Sequence, residues 1–161
     1  MSIKERDLTS TQIAIIALLK AKDINGIDSA PIPGNIHLVK EIFTMKNTEL
    51  GNQLLDELNF EADNFGPFDE TIFAALDDLK DAGLIEFVLS NDSNKIRLTE
   101  EGKHLADEIW KKLRNDVKAI IAYIKVNFNH ISSEKLLDKI YSIYPEMAKY
   151  SLSKVARKYQ T

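Results

Sequence analysis

The sequence predicts a mainly α fold: a winged helix-turn-helix with a small β-hairpin wing over residues 1–103, followed by a long C-terminal helical extension over 104–161. Three observations predict it. Amphipathic helical segments precede two short β-rich runs, 84–89 and 95–98. Gly83 stops the helix in front of them. Leu98-Thr99-x-x-Gly102 then leads directly into another helix. Helix, helix, helix and hairpin in that order is the winged-helix arrangement.

Each element has a local reason. "TSTQIAIIALLKAKD" opens a helix, because Thr9 and Gln12 have capping-box spacing. Ile13, Ile15, Ile16, Leu18 and Leu19 make it apolar around much of its girth, as a central helix is. Gly26, Pro31, Pro33 and Gly34 mark a loop. Asn35 is the expected cap of a second helix carrying Ile36, Leu38, Val39, Ile42 and Phe43. Leu50, Leu54 and Leu58 recur every four residues in a third piece, which Gly51 should weaken. "NFEADNFGPF" reads as a loop punctuated by Gly66-Pro67, and Asp69 caps the helix that follows, with Ile72, Leu76 and Leu79 on one stripe. Phe60, Phe65 and Phe68 should pack under the helical core beside Phe73. "SNDSN" is a polar turn between the two strands. Thr99 caps a helix expected to run unbroken to Phe128, since Leu105, Ile109, Leu113, Val117, Ile121, Ile124 and Phe128 keep helical spacing. That is a rod of about 45 Å at 1.5 Å per residue. Ser132 or Ser133 caps a further helix, and Pro145 marks the next boundary.

Composition excludes several functions. Without cysteine there is no disulfide scaffold, zinc finger or thiol nucleophile. No apolar run approaches the roughly 18 residues of a membrane span, so a cytoplasmic protein is expected. His37, His104 and His130 are scattered, and no phosphate loop, nucleotide fingerprint or nucleophile elbow occurs. The acidic residues around the Gly-Pro turn, including Asp56, Glu57, Glu61 and Asp63, lack calcium-loop spacing and read as caps and solvated surface. A non-enzymatic protein without cofactor or metal is the expectation.

Charge is unevenly spread. Residues 1–98 hold 9 Lys and Arg against 17 Asp and Glu; the remainder holds 12 against 8. The helix placed to read DNA carries Asp69, Glu70, Asp77, Asp78 and Asp81 against Lys80 alone, and carboxylates repel phosphates. The favoured reading is therefore a regulatory or adaptor module that meets a protein partner through Asp77, Asp78 and Asp81. The alternative is a DNA-binding transcriptional regulator using Lys95 and Arg97 of the wing with Lys111, Lys112, Arg114 and Lys118 of the following helix. Lys125 and the C-terminal Lys149, Lys154, Arg157 and Lys158 add to that basic half. Trp110 and Tyr123 are candidate anchors of a homodimer through the helix 99–128.

Three motifs resemble a family of small bacterial and archaeal winged-helix proteins related in pattern to the Panacea antitoxin-type domain. Gly34, Leu38, Lys40 and Phe43 match a Gly-x-x-x-Leu-x-Lys-x-x-Phe helix. Phe60, Phe65, Gly66, Pro67 and Phe68 match an aromatic run into (Tyr/Phe)-Gly-Pro-(Tyr/Phe), with Phe68-Asp69 where Tyr-Ser is usual. Leu98-Thr99-x-x-Gly102 is the third. The resemblance covers residues 34–103 and implies a regulatory, antitoxin-like role without a catalytic residue.

Overall fold

The computed structural model describes residues 3–90 and 93–160, apart from the side chains of Ser90 and Ser93. It is mainly helical, with two small antiparallel hairpins. Helix α1 spans Ser10–Lys20, and the Thr9–Gln12 capping box forms: the Gln12 N–H donates to Thr9 Oγ1 at 3.2 Å and the Thr9 N–H to Gln12 Oε1 at 2.9 Å. Ile15, Ile16, Ala17 and Leu18 are all fully buried, so α1 is the axis of the core. After the loop, Ile32 exchanges backbone hydrogen bonds with Ile96 at 2.9 Å in both directions.

Helix α2 covers Asn35–Lys46. Gly34, not Asn35, takes its cap position. The Gly34 backbone has φ +141°, and a Cβ there would lie 3.3 Å from the Asn94 carbonyl. Asn35 instead becomes the first helical residue. Helix α3, Glu49–Leu54, is capped by Thr48 Oγ1, which accepts from the Gly51 N–H at 2.9 Å. Gly51 is a requirement here and no weakness, because any Cβ would overlap the Met45 carbonyl. Of the leucines spaced by four, Leu58 is buried, Leu50 is half-buried and Leu54 is 40% exposed.

The segment read as a loop forms a hairpin. Strands β1, Glu61–Asp63, and β2, Gly66–Phe68, pair antiparallel with Ala62 opposite Pro67. This corrects the aromatic expectation. Phe60 packs inward, edge-on to Phe43 at 5.1 Å. Phe65 lies at the hairpin turn and is 57% exposed. Phe68 ends β2 on the outward side and stacks on Phe73 at 5.4 Å. Helix α4, Glu70–Asp81, starts at Asp69, whose carboxylate accepts the Thr71 N–H at 2.8 Å and the Asn59 N–H at 2.5 Å. It stops at Gly83 with φ +77°, where the Leu84 N–H returns to the Leu79 carbonyl at 3.0 Å.

Strands β3, Ile85–Ser90, and β4, Ser93–Leu98, form the second hairpin, with Ile85 opposite Leu98 and Phe87 opposite Ile96. Its expected polar turn at Asn91-Asp92 lies outside the described residues. Thr99 caps α5, Glu100–Lys112, accepting the Gly102 N–H at 3.0 Å and donating its hydroxyl to the Gly83 carbonyl at 2.6 Å.

The unbroken helix to Phe128 does not form. Leu113 (φ −67°, ψ 143°) and Arg114 (φ −63°, ψ 149°) are extended, and a separate helix α6 covers Asn115–Phe128. Asp116 lies in its first turn and accepts its neighbour Val117's N–H at 2.9 Å. Both helices bury a stripe in one core, Leu105 and Ile109 from α5 with Val117, Ile121 and Ile124 from α6. Their apolar periodicity therefore continues across a two-residue turn. The single long face expected to carry a homodimer is absent.

Helix α7, Ser133–Ile143, is capped by Ser132 Oγ. Through Leu136, Leu137, Ile140 and Tyr141 it joins Phe43, Ala148 and Ala156 in a second cluster, closed by two 3₁₀ turns at Pro145–Ala148 and Lys154–Tyr159. The Leu152 N–H donates to the Asn64 carbonyl at 2.8 Å, tying this C-terminal segment to the β1–β2 turn. No helix among the described residues is long and apolar enough to cross a membrane.

Candidate functional site

Helix α4 buries Ile72, Ala75, Leu76 and Leu79. Its period therefore turns Asp77, Asp78 and Asp81 outward together, and all three are exposed. Among the described residues, none of these carboxylates has a cation within 4 Å. Lys80, the one cation of the helix, lies 5.5 Å from the centre of the Phe87 ring.

Several of the basic residues are paired with carboxylates of the chain itself. Arg97 is held by Glu86 at 2.7 Å, Arg114 by Asp116 at 2.6 Å and Lys112 by Glu5 at 3.6 Å. Lys158 pairs with Asp138 at 2.9 Å. Lys95 and Lys118 are half-buried and Lys111 is exposed; none of the three has a carboxylate within 4 Å among the described residues. Lys125 is not on the surface at all. Of the two aromatic anchors, Trp110 packs against the main core, whereas Tyr123 is 61% exposed and meets Phe128 edge-on at 6.1 Å.

What sequence reasoning missed is a buried polar group between α1, α2 and α6. Lys125 Nζ donates to the carbonyls of Leu18 at 2.7 Å, Leu19 at 3.2 Å and Ala30 at 2.7 Å, which uses all three ammonium protons. Burial pulls its pKa down, opposed by the charges of Glu41, Asp23 and Asp28. Glu41 is fully buried and neither carboxyl oxygen has a hydrogen-bond partner. Burial pushes its pKa up, with the Lys125 charge pulling the other way, so the fold favours the protonated acid. A signal existed for both. Glu41 lies between Leu38 and Met45, and Lys125 follows Ile121 by four, each on a buried stripe.

His37 lies beside Glu41, Nε2 to Oε2 at 3.7 Å. Its Nε2 is 2.9 Å from the Phe128 carbonyl, an acceptor only, which assigns the proton to Nε2 and makes Nδ1 the acceptor for the Ser133 hydroxyl at 3.1 Å. Burial lowers its pKa from 6.5 to about 4; the Phe128 hydrogen bond opposes that and the Lys40 charge adds to it. Lys40 itself is lowered to about 8 by burial. Its stem runs past Gly66, where a Cβ would lie 3.8 Å from Lys40 Cε and 2.6 Å from Leu137 Cδ1. The helix motif and the Gly-Pro motif thus meet at one contact.

His37, Glu41 and Lys125 are closed to solvent. Their chemistry is that of a pH-sensitive structural element. The folded His37 value lies below the unfolded one, so its contribution to stability is present above pH 6.5 and is lost as pH falls towards 4. That depression corresponds to about 3 kcal/mol. Between pH 7 and 4, stability in urea unfolding should fall more steeply with decreasing pH than in His37→Gln, while Glu41, whose pKa burial pushes up, contributes the opposite trend in both proteins. Equal slopes in the two proteins would mean that the folded state accepts the proton. No protein-family model and no curated protein matches the chain.

Proposed function

We propose that the chain is a non-enzymatic regulatory or adaptor protein on a winged-helix scaffold, acting through protein contacts. The exposed acidic face of α4 carries this reading. The order α1, α2, α4 and the β3–β4 hairpin supports the scaffold, as does the Ile32–Ile96 pairing, which lays a third extended segment against the hairpin. In that scaffold α4 is the helix that would enter a DNA groove, and it presents Asp77, Asp78 and Asp81, exposed and with no cation within 4 Å among the described residues. Three of the six cations that would have to contact phosphate are held by the protein's own carboxylates. Counterion release, the main source of non-specific DNA affinity, is correspondingly small. A basic protein surface suits such a helix, in line with the antitoxin-like role that the sequence motifs imply.

The competing reading, a DNA-binding regulator, rests on Lys95, Lys111 and Lys118, which have no carboxylate within 4 Å among the described residues. Titration of fluorescent duplexes, random and from the native host, separates the two. At about 0.15 M salt the expected dissociation constant is in the micromolar range or weaker, as for non-specific binding. Converting Asp77, Asp78 and Asp81 to Asn should leave the fold intact, raise DNA affinity slightly and reduce capture of basic proteins from the host lysate. Nanomolar, sequence-selective DNA binding by the wild type would overturn the proposal.

A further inference from the structure

We propose that the cavity beside the α5–α6 link is a binding site for an uncharged, mostly apolar molecule about the size of two fused rings. This reading goes beyond the protein-contact role and does not depend on it. The cavity holds about 290 Å³. An engineered apolar cavity of about half that volume stays dry and takes up benzene. Its walls come from separate elements: Ala14 and Ala17 of α1, Met45 of α2, Leu54 of α3, and Val117 and Ile121 of α6. The lining is concave and mostly apolar and opens to solvent past Glu5, Leu54, Lys112 and Arg114, a shape that suits a small molecule. The larger groove between α6 and α7, about 390 Å³, includes Asn127, Lys139 and Ser142 in its lining and is the more polar of the two.

The rim decides the charge of the occupant. It carries Glu5, Lys112 and Arg114. Glu5 and Lys112 face each other at 3.6 Å, and Arg114 is taken by Asp116 at 2.6 Å. The mouth is therefore electrically balanced. An anion or cation entering would lose its hydration without a free counter-charge, whereas a neutral molecule would not. The cavity exists because the chain turns at Leu113 and Arg114; a straight helix through these positions would not bring α6 back against α1.

The test uses the full chain labelled with ¹³C at the methionine methyls. Of the three methionines, Met45 lines the cavity while Met147 packs in the second cluster. Titration with 2-naphthol at pH 7 is expected to shift the Met45 signal through ring currents, saturably, and to leave Met147 in place. The anionic 2-naphthoate, of the same shape, should bind at least about tenfold more weakly. Ala14→Leu, which fills the cavity, and Leu54→Asp, at a 40% exposed position that tolerates a polar group, should each weaken 2-naphthol at least about tenfold. Leu54→Asp keeps the test decisive if Ala14→Leu does not fold. The proposal is overturned by an unmoved Met45 signal at about 1 mM 2-naphthol, a concentration at which even weak affinity registers. It is equally overturned by naphthoate binding as well as naphthol, or by a Met45 signal that follows protein concentration without probe, which would place a second copy there.

Discussion

Lys125→Met is expected to destabilise the protein by about 3–5 kcal/mol, because three buried carbonyls lose their donor at once. Methionine nearly replaces the stem but supplies no donor. The Leu18 and Leu19 carbonyls belong to the last turn of α1, where no helical N–H remains to bond them. With the Ala30 carbonyl they would be left buried and unpaired, at about 1–3 kcal/mol each before relaxation. Removing a buried charge offsets part of this loss, which is why the net figure falls below the sum. Urea unfolding at pH 7 measures it, and a Tm lowered by roughly 10 °C should accompany it. A change under about 1 kcal/mol would mean that the three carbonyls find other donors.

Phe43→Ala should cost about 3–5 kcal/mol, the range for truncating a buried phenylalanine. Phe43 is 2% exposed and meets Phe60 edge-on at 5.1 Å and Tyr144 edge-on at 5.2 Å. It is the α2 member of the second cluster, so its loss loosens the attachment of α7 and the C-terminal turns selectively. Limited trypsin digestion should then cut first after Lys149, Lys154 or Arg157, all exposed. Unfolding within about 1 kcal/mol of wild type, with an unchanged digest, would show that Phe60 and Tyr144 close the gap by themselves.

Local chemistry was legible in the sequence wherever one residue answers one need. Thr9 with Gln12, Asp69 and Thr99 each cap the helix they were expected to cap, and Gly83 ends α4. The β3–β4 pairing followed from two short β-rich runs, 84–89 and 95–98, on either side of a polar turn. Features set by tertiary packing were not legible. The turn at Leu113 and Arg114 leaves the apolar spacing intact, and only Asn115-Asp116 hints that a helix begins anew. Strands β1 and β2 are three residues each, too short for alternation to show. Lys125 looked like surface because of its charge, although its position on the Ile121 stripe said otherwise. The acidic face of α4 was legible as three outward carboxylates; the capture of Arg97, Lys112 and Arg114 by carboxylates of other segments was not.

The bonds from Lys125 to Leu18, Leu19 and Ala30 also order events in time. They close over sequence separations of 107, 106 and 95 residues. Contacts this distant are made late, because long loops must close before they form. On the ribosome, α1 would emerge with its last carbonyls open to water and would remain so until α6 had been synthesised, several seconds later at about 5–20 residues per second. The most buried helix of the protein thus begins its life as its least finished one, and for that interval its apolar girth is what a chaperone would meet.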